Sequence, residues 1–159
     1  MTNFDLLIDL HQNNPRQGPG SDGMTQKALS FIDLADQPNL QIADIGCGTG
    51  AQTMALAQHT KGHITAVDLF PVFLEKLNER AQEKGLSDRI TTLARSMEDL
   101  PFEGEALDII WSEGAIYIMG FEKGVQDWKR FLKARRLPGG FRDFLAHGCQ
   151  TCRVGGFLE

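Results

Sequence analysis

The sequence predicts an α/β fold whose strands run parallel and are joined by crossover helices. Three observations carry that expectation. Short apolar, strand-like runs alternate with amphipathic helical stretches from Gln41 to Lys133. A turn with glycine at alternate positions, Asp44-Ile-Gly46-Cys47-Gly48-Thr49-Gly50, joins the first such strand to its helix. An acid, Asp68, closes the second strand 20 residues after Gly48.

The elements follow in order. Residues 1–23 open with a short amphipathic stretch (Phe4, Leu7, Ile8) and then NNPRQGPGSD, whose prolines and glycines make a loop. A helix is expected over 24–35, with Met24, Ala28, Leu29, Ile32 and Ala35 on one face and Ser21 or Asp22 as its N-cap. Gln41–Ile45 is the first strand, and 51–59 a helix rich in Ala and Leu. HITAVDLF (63–70) is the second strand. Pro71 then sits in the first turn of a helix that buries Phe73, Leu74, Leu77 and Ala81 and stops at Gly85. RITTLARS (89–96) and LDIIWS (107–112) are the third and fourth strands, separated by the loop EDLPFEGEA. Phe121, Val125, Trp128, Phe131 and Leu132 fall on one face of a last helix reaching Lys133.

Composition narrows the function. The 159 residues carry 42% hydrophobic and 23% charged side chains, which excludes a disordered or fibrous chain. A net charge of −5 argues against a non-specific nucleic-acid binder, and no nucleic-acid partner is expected. No run approaches the ~20 apolar residues that span a bilayer, and Asp5 and Asp9 interrupt the start, so neither a membrane association nor a signal peptide is expected. Three unevenly spaced cysteines without an export signal point to a reducing cytoplasm.

The glycine turn is where chemistry is expected. Three glycines let the backbone turn sharply and bring a ligand against bare amides at a helix N-terminus. Asp44 lies at the strand end, where it could accept hydrogen bonds from an ammonium or from loop amides. Asp68 lies where a carboxylate can accept both ribose hydroxyls of a nucleoside.

This combination resembles the class I S-adenosylmethionine-dependent methyltransferases, with DIGCGTG as their first motif. The resemblance continues through AVDLF, the SMEDLPF loop and LDIIWSEGAIY, and covers residues 41–133. HQNNPRQGPGSD together with WSEGAIYIMGFEKG looks like one bacterial group of these enzymes. It implies a Rossmann-like three-layer methyltransferase fold, S-adenosylmethionine as cofactor and a small-molecule substrate. Carried over, it places Asp44, Gly46, Cys47, Gly48 and Gly50 around the methionyl part, Asp68 on the ribose, and Leu69 and Phe70 beside the adenosine. Many relatives read Gly-Asp-Ala before the LPF loop; here Arg95-Ser96-Met97 stands instead, with Ser96 and the Met97 amide left to face the adenine. A nicotinamide dinucleotide site is the competing reading, since Gly46-x-Gly48-x-x-Ala51 meets the looser pattern. It leaves Asp44 and the LPF loop unexplained.

Methyl transfer is an in-line displacement, so alignment and desolvation dominate, and a general base is needed only for a weak nucleophile. Glu113 and Tyr117, after the fourth strand, are the catalytic candidates, with Glu113 equally readable as a helix-capping carboxylate and Tyr117 as packing. His11 could border the pocket or be a solvated imidazole. Arg16, in the Pro/Gly loop, is a candidate for the cofactor's carboxylate. No metal site is expected: Cys149 and Cys152 have the spacing of half a zinc site, but only Cys47 and His147 could complete it.

Residues 134–159 differ in kind. They carry +2 against −7 for residues 1–133 and lose the strand–helix alternation. Relatives of the bacterial group continue here with a further strand, and codons for residues 136–159 admit such a continuation when read one nucleotide out of register. The tail is therefore expected to be out of frame, 1–133 to be an N-terminal segment plus a partial S-adenosylmethionine-binding methyltransferase domain, and the chain to be C-terminally truncated; the alternative to an active enzyme is then a catalytically inactive cofactor-binding fragment. Four strands should then be present, with the fourth an exposed edge open to homo-oligomer formation.

Overall fold

The computed structural model describes residues 3–32, 39–134 and 144–147; Cys149 and Cys152 lie outside them. Along the chain come α1 (Asn3–His11), α2 (Asp22–Leu29), β1 (Gln41–Ile45), α3 (Ala51–His59), β2 (His63–Asp68), α4 (Pro71–Glu83), β3 (Ile90–Ala94), β4 (Ile109–Glu113), α5 (Phe121–Trp128) and β5 (Phe144–His147). One parallel sheet has the order β3-β2-β1-β4-β5. Ile42 pairs with Ile64 on one side and with Ile109 on the other.

The central strands are apolar on both faces because both faces are covered, as parallel sheets require. Ile42, Ile64, Ala66 and Ile109 face a core closed by Leu29 of α2, Leu56 of α3 and Leu74 and Leu77 of α4. Ala43, Ile45, Val67 and Ile110 face the opposite core, closed by Trp128 of α5 and by Phe131 and Leu132. Three layers result, as the resemblance implies.

Element ends shift for local reasons. α2 starts at Asp22 because the Ser21 hydroxyl accepts the Met24 amide at 3.3 Å, and it ends at Leu29, short of the expected 35. The last helix stops at Trp128 rather than Lys133. After a 3₁₀ turn (Lys129–Phe131) the backbone leaves to pair with residues before β4: Leu107 N donates to Phe131 O and Lys133 N to Leu107 O, both at 2.8 Å.

The four expected strands are present and parallel. The expectation that β4 would be left as an exposed edge is corrected: Phe144–His147 pairs with it in parallel, from Ile110↔Phe144 to Glu113↔His147. The main-chain donors and acceptors of a strand edge accept any extended segment that reaches them, so a stretch outside the strand–helix pattern can still add to the ladder.

Candidate functional site

A cavity of about 610 Å³ opens at the C-terminal ends of β1, β2 and β4. Successive crossovers run outward from β1 in opposite directions there, and such a switch point leaves a crevice. The size suits a small molecule or cofactor.

The floor is the glycine turn. Gly46, Gly48 and Gly50 all have positive φ (75°, 55° and 84°). A Cβ on Gly46 would run into the Ala115 methyl, and one on Gly50 into Leu77 of α4, so the turn is wedged between the β4 loop and α4. The turn is also tied to β2, with Gly46 N and Cys47 N both donating to Val67 O at 2.8 and 3.0 Å.

Asp68 holds the turn from the side. Its carboxylate accepts Gly48 N at 2.8 Å and Phe70 N at 3.0 Å. Burial lifts its pKa above the ordinary value, and these amides oppose that lift. A carboxylate has about four lone-pair sites, so acceptor capacity remains for a ligand's hydroxyl.

Asp44 lies beneath the turn, fully buried. One oxygen accepts the Thr53 hydroxyl at 2.5 Å; Oδ1 is buried with no hydrogen-bond partner. Burial pushes its pKa up to about 7, with the charges of Glu113 and Asp68 adding and the Thr53 hydroxyl and neighbouring Gln52 carboxamide opposing. Cys47 lines the cavity, and burial, followed by the nearby Asp44 and Asp68, holds its thiol protonated.

Of the eleven expected cofactor residues, Gly46, Cys47, Gly48, Asp68, Leu69, Phe70, Ser96 and Met97 line the cavity. Trp128 fixes the last of these loops by donating its indole N–H to Met97 O at 2.9 Å. Gly50 caps α3 and Asp44 sits underneath; neither is on the wall.

Arg16, expected at the cofactor's carboxylate, is not on the wall either. Its guanidinium is spent on Glu113 and Asp22, each at 2.9 Å. Glu113 lines the cavity, but both oxygens are engaged: Oε2 by Arg16, Oε1 by the Thr25 hydroxyl at 2.7 Å and the Trp111 indole at 2.9 Å. It clasps the N-terminal segment to β4 and caps no helix. Tyr117 stands at the mouth, 70% exposed. His11 borders the cavity, with a buried Nδ1 that has no partner.

Two residues escaped the sequence reading. Gln17 lines the cavity, and its carboxamide oxygen accepts Thr49 N at 3.0 Å. Arg80 of α4 reaches Asn14 O, Pro15 O and Thr49 O. A polar side chain amid RQGPG was the available hint for the first; nothing local pointed to the second. Among the described residues no cluster of three or more His, Cys, Asp or Glu could hold a metal ion, and no helix is long and apolar enough to cross a membrane.

A parallel sheet with a glycine turn after β1 and an acid closing β2 defines a cofactor-binding α/β domain. A family profile described as a methyltransferase domain matches residues 42–135. The chain is 35% identical over 99 residues to the uncharacterized methyltransferase YodH of Bacillus subtilis (strain 168), and 27% identical over 124 residues to a glycine/sarcosine/dimethylglycine N-methyltransferase of Actinopolyspora halophila. These alignments cover 62% and 77% of this chain but 41% and 22% of those proteins, so the chain spans well under half of either relative. The geranyl diphosphate C-methyltransferase of Streptomyces coelicolor A3(2), solved with Mg2+, geranyl diphosphate and S-adenosyl-L-homocysteine, superposes with a TM-score of 0.65. That match covers 70% of this chain and 42% of that one at 21% identity, a likeness of fold. The chain belongs to the methyltransferase-domain family, the class I S-adenosylmethionine-dependent methyltransferases.

Proposed function

We propose that the cavity binds S-adenosylmethionine and that the protein transfers its methyl group to a small-molecule acceptor. The observation that carries this is the pairing, around one cavity, of a positive-φ glycine turn with Asp68 at its side and a buried, half-satisfied carboxyl, Asp44, beneath it. The amides from Gly46 to Gly50 are already bonded within the protein, so the glycines serve by letting a ligand come close to bare backbone, and an ammonium placed near Asp44 would relieve its unpartnered oxygen.

In this reading Gly46, Cys47 and Gly48 border the methionyl part, with Asp44 and Gly50 shaping the turn from below and behind. Asp68 takes the ribose, Leu69 and Phe70 flank the adenosine, and Ser96 and Met97 meet the adenine. The bound cofactor supplies an electrophilic methyl on a sulfonium. The chain's own part is to orient it and to keep water out. Glu113, with both oxygens committed, acts by holding the N-terminal segment in place rather than as a free base, and Tyr117 borders the acceptor at the mouth. In this reading the portion 1–133 carries the site: among the described residues, those that line the cavity lie between His11 and Met119.

Ligand-linked unfolding tests the reading. S-adenosylhomocysteine at about 100 times its Kd should add roughly 2.7 kcal/mol and raise a cooperative thermal midpoint by several degrees. NAD at the same concentration should leave it unchanged. A midpoint raised by NAD and not by S-adenosylhomocysteine would overturn the proposal.

A further inference from the structure

The segment Asn14–Gly20 crosses the cavity as a strap. Gln17, Gly18 and Pro19 form part of its wall. Its Arg16 is fastened to β4 through Glu113. The two residues just before it are fastened to the glycine turn through a single guanidinium. Arg80 Nη1 donates to Pro15 O at 3.0 Å, to Thr49 O at 2.8 Å and to Thr49 Oγ1 at 3.1 Å, and Nη2 to Asn14 O at 3.3 Å. The Thr49 hydroxyl in turn reaches Asn14 O at 3.1 Å, and the Thr49 amide is capped by Gln17.

Among the described residues Arg80 has no carboxylate partner in ion-pair range; the bonds it makes are to strap and turn. It is half-buried on α4, three residues after Leu77, which packs against Gly50. One helix face therefore presses on the turn with an apolar side chain and ties it to the strap with a cationic one. A planar fork can serve several carbonyls converging from two segments, whereas an ammonium is a single point of donation.

We propose that Arg80 is the positioning residue for cofactor capture: it holds strap and glycine turn in one fixed relation, so that closure over the ligand and shaping of the turn are one event. This rests on the cofactor reading above. Arg80 touches no reacting atom. It acts through Thr49 and through the strap that carries Gln17 to the cavity.

The test compares the wild-type chain with Arg80→Gln, Arg80→Lys and Gln17→Ala by hydrogen exchange, with and without S-adenosylhomocysteine, and by calorimetric titration with that ligand. In the ligand-free protein, amides of residues 14–20 should exchange faster in Arg80→Gln than in wild type, while β1 and β2 keep their protection. The Kd for S-adenosylhomocysteine should rise about tenfold, chiefly through faster dissociation, with Arg80→Lys intermediate. Gln17→Ala, which leaves the core untouched, should reproduce part of the loss and serves if Arg80→Gln does not fold. Unchanged exchange over 14–20 together with an unchanged Kd in the folded variants would overturn the proposal. Wild type that fails to bind S-adenosylhomocysteine, with the strap still loosened in Arg80→Gln, would overturn the cofactor reading and leave the strap linkage supported.

Discussion

Asp44 is the residue on which pH should act. Its carboxyl is lifted from 3.8 to about 7 by burial first and by Glu113 and Asp68 after that. Between those two values the unfolded chain has given up a proton that the folded protein keeps. The folded state is therefore favoured at low pH, and the ligand-free protein loses stability as pH rises from about 4 to about 7, by roughly 4 kcal/mol at most. Urea midpoints at pH 5 and 7.5 measure this, and Asp44→Asn should flatten the difference between them. The glycines and Asp68 were legible in the sequence because their constraints are local: alternate glycines announce a backbone that needs positive φ, and an acid at a strand end announces where it points. The protonation of Asp44 was not legible. It follows from Thr53, Gln52 and Glu113 surrounding it, and a sequence does not state burial.

At the scale of elements, the clasp between the N-terminal segment and β4 decides whether the cavity has a roof. Arg16 and Glu113 are 13% and 6% exposed at their side chains, and Glu113 also serves Thr25 and Trp111. Removing one partner leaves the other poorly solvated. Glu113→Gln should destabilise the fold by about 2–4 kcal/mol, and a double-mutant cycle with Arg16→Met should show strong coupling in denaturant unfolding. Full additivity of the two changes would argue that the pair is incidental. Strands and helices were readable to within a few residues because apolar periodicity and caps such as Ser21 are written locally. The roof was not, because its bonds join residues far apart: 97 positions for Arg16 and Glu113, 32 for Gln17 and Thr49, 65 for Arg80 and Pro15. Glu113 looked like a candidate base for the same reason. Its three donors come from other elements or from its own strand, and only the fold gathers them.

At the scale of the whole molecule, alternation of strand and helix was enough to foresee a parallel sheet with crossover helices, and the family resemblance implied its three layers. It was not enough to foresee β5, since main-chain pairing along an edge is indifferent to the pattern that was read. The strand order has a kinetic consequence. β1, β2 and β3 are sequence neighbours, whereas joining Ile42 to Ile109 closes a loop of some 67 residues, an entropic cost met before the pairing returns anything. Folding should begin in the span from β1 to β3, with β4 docking afterwards. In stopped-flow experiments Val67→Ala should chiefly slow refolding, and Glu113→Gln should chiefly quicken unfolding. Since the roof fastens to the end of β4, a nascent chain has no enclosed cavity until residue 113 is available for pairing. The cavity is then enclosed only after β4 has docked, and a ligand that needs the roof acts as a late checkpoint on the folding of everything beneath it.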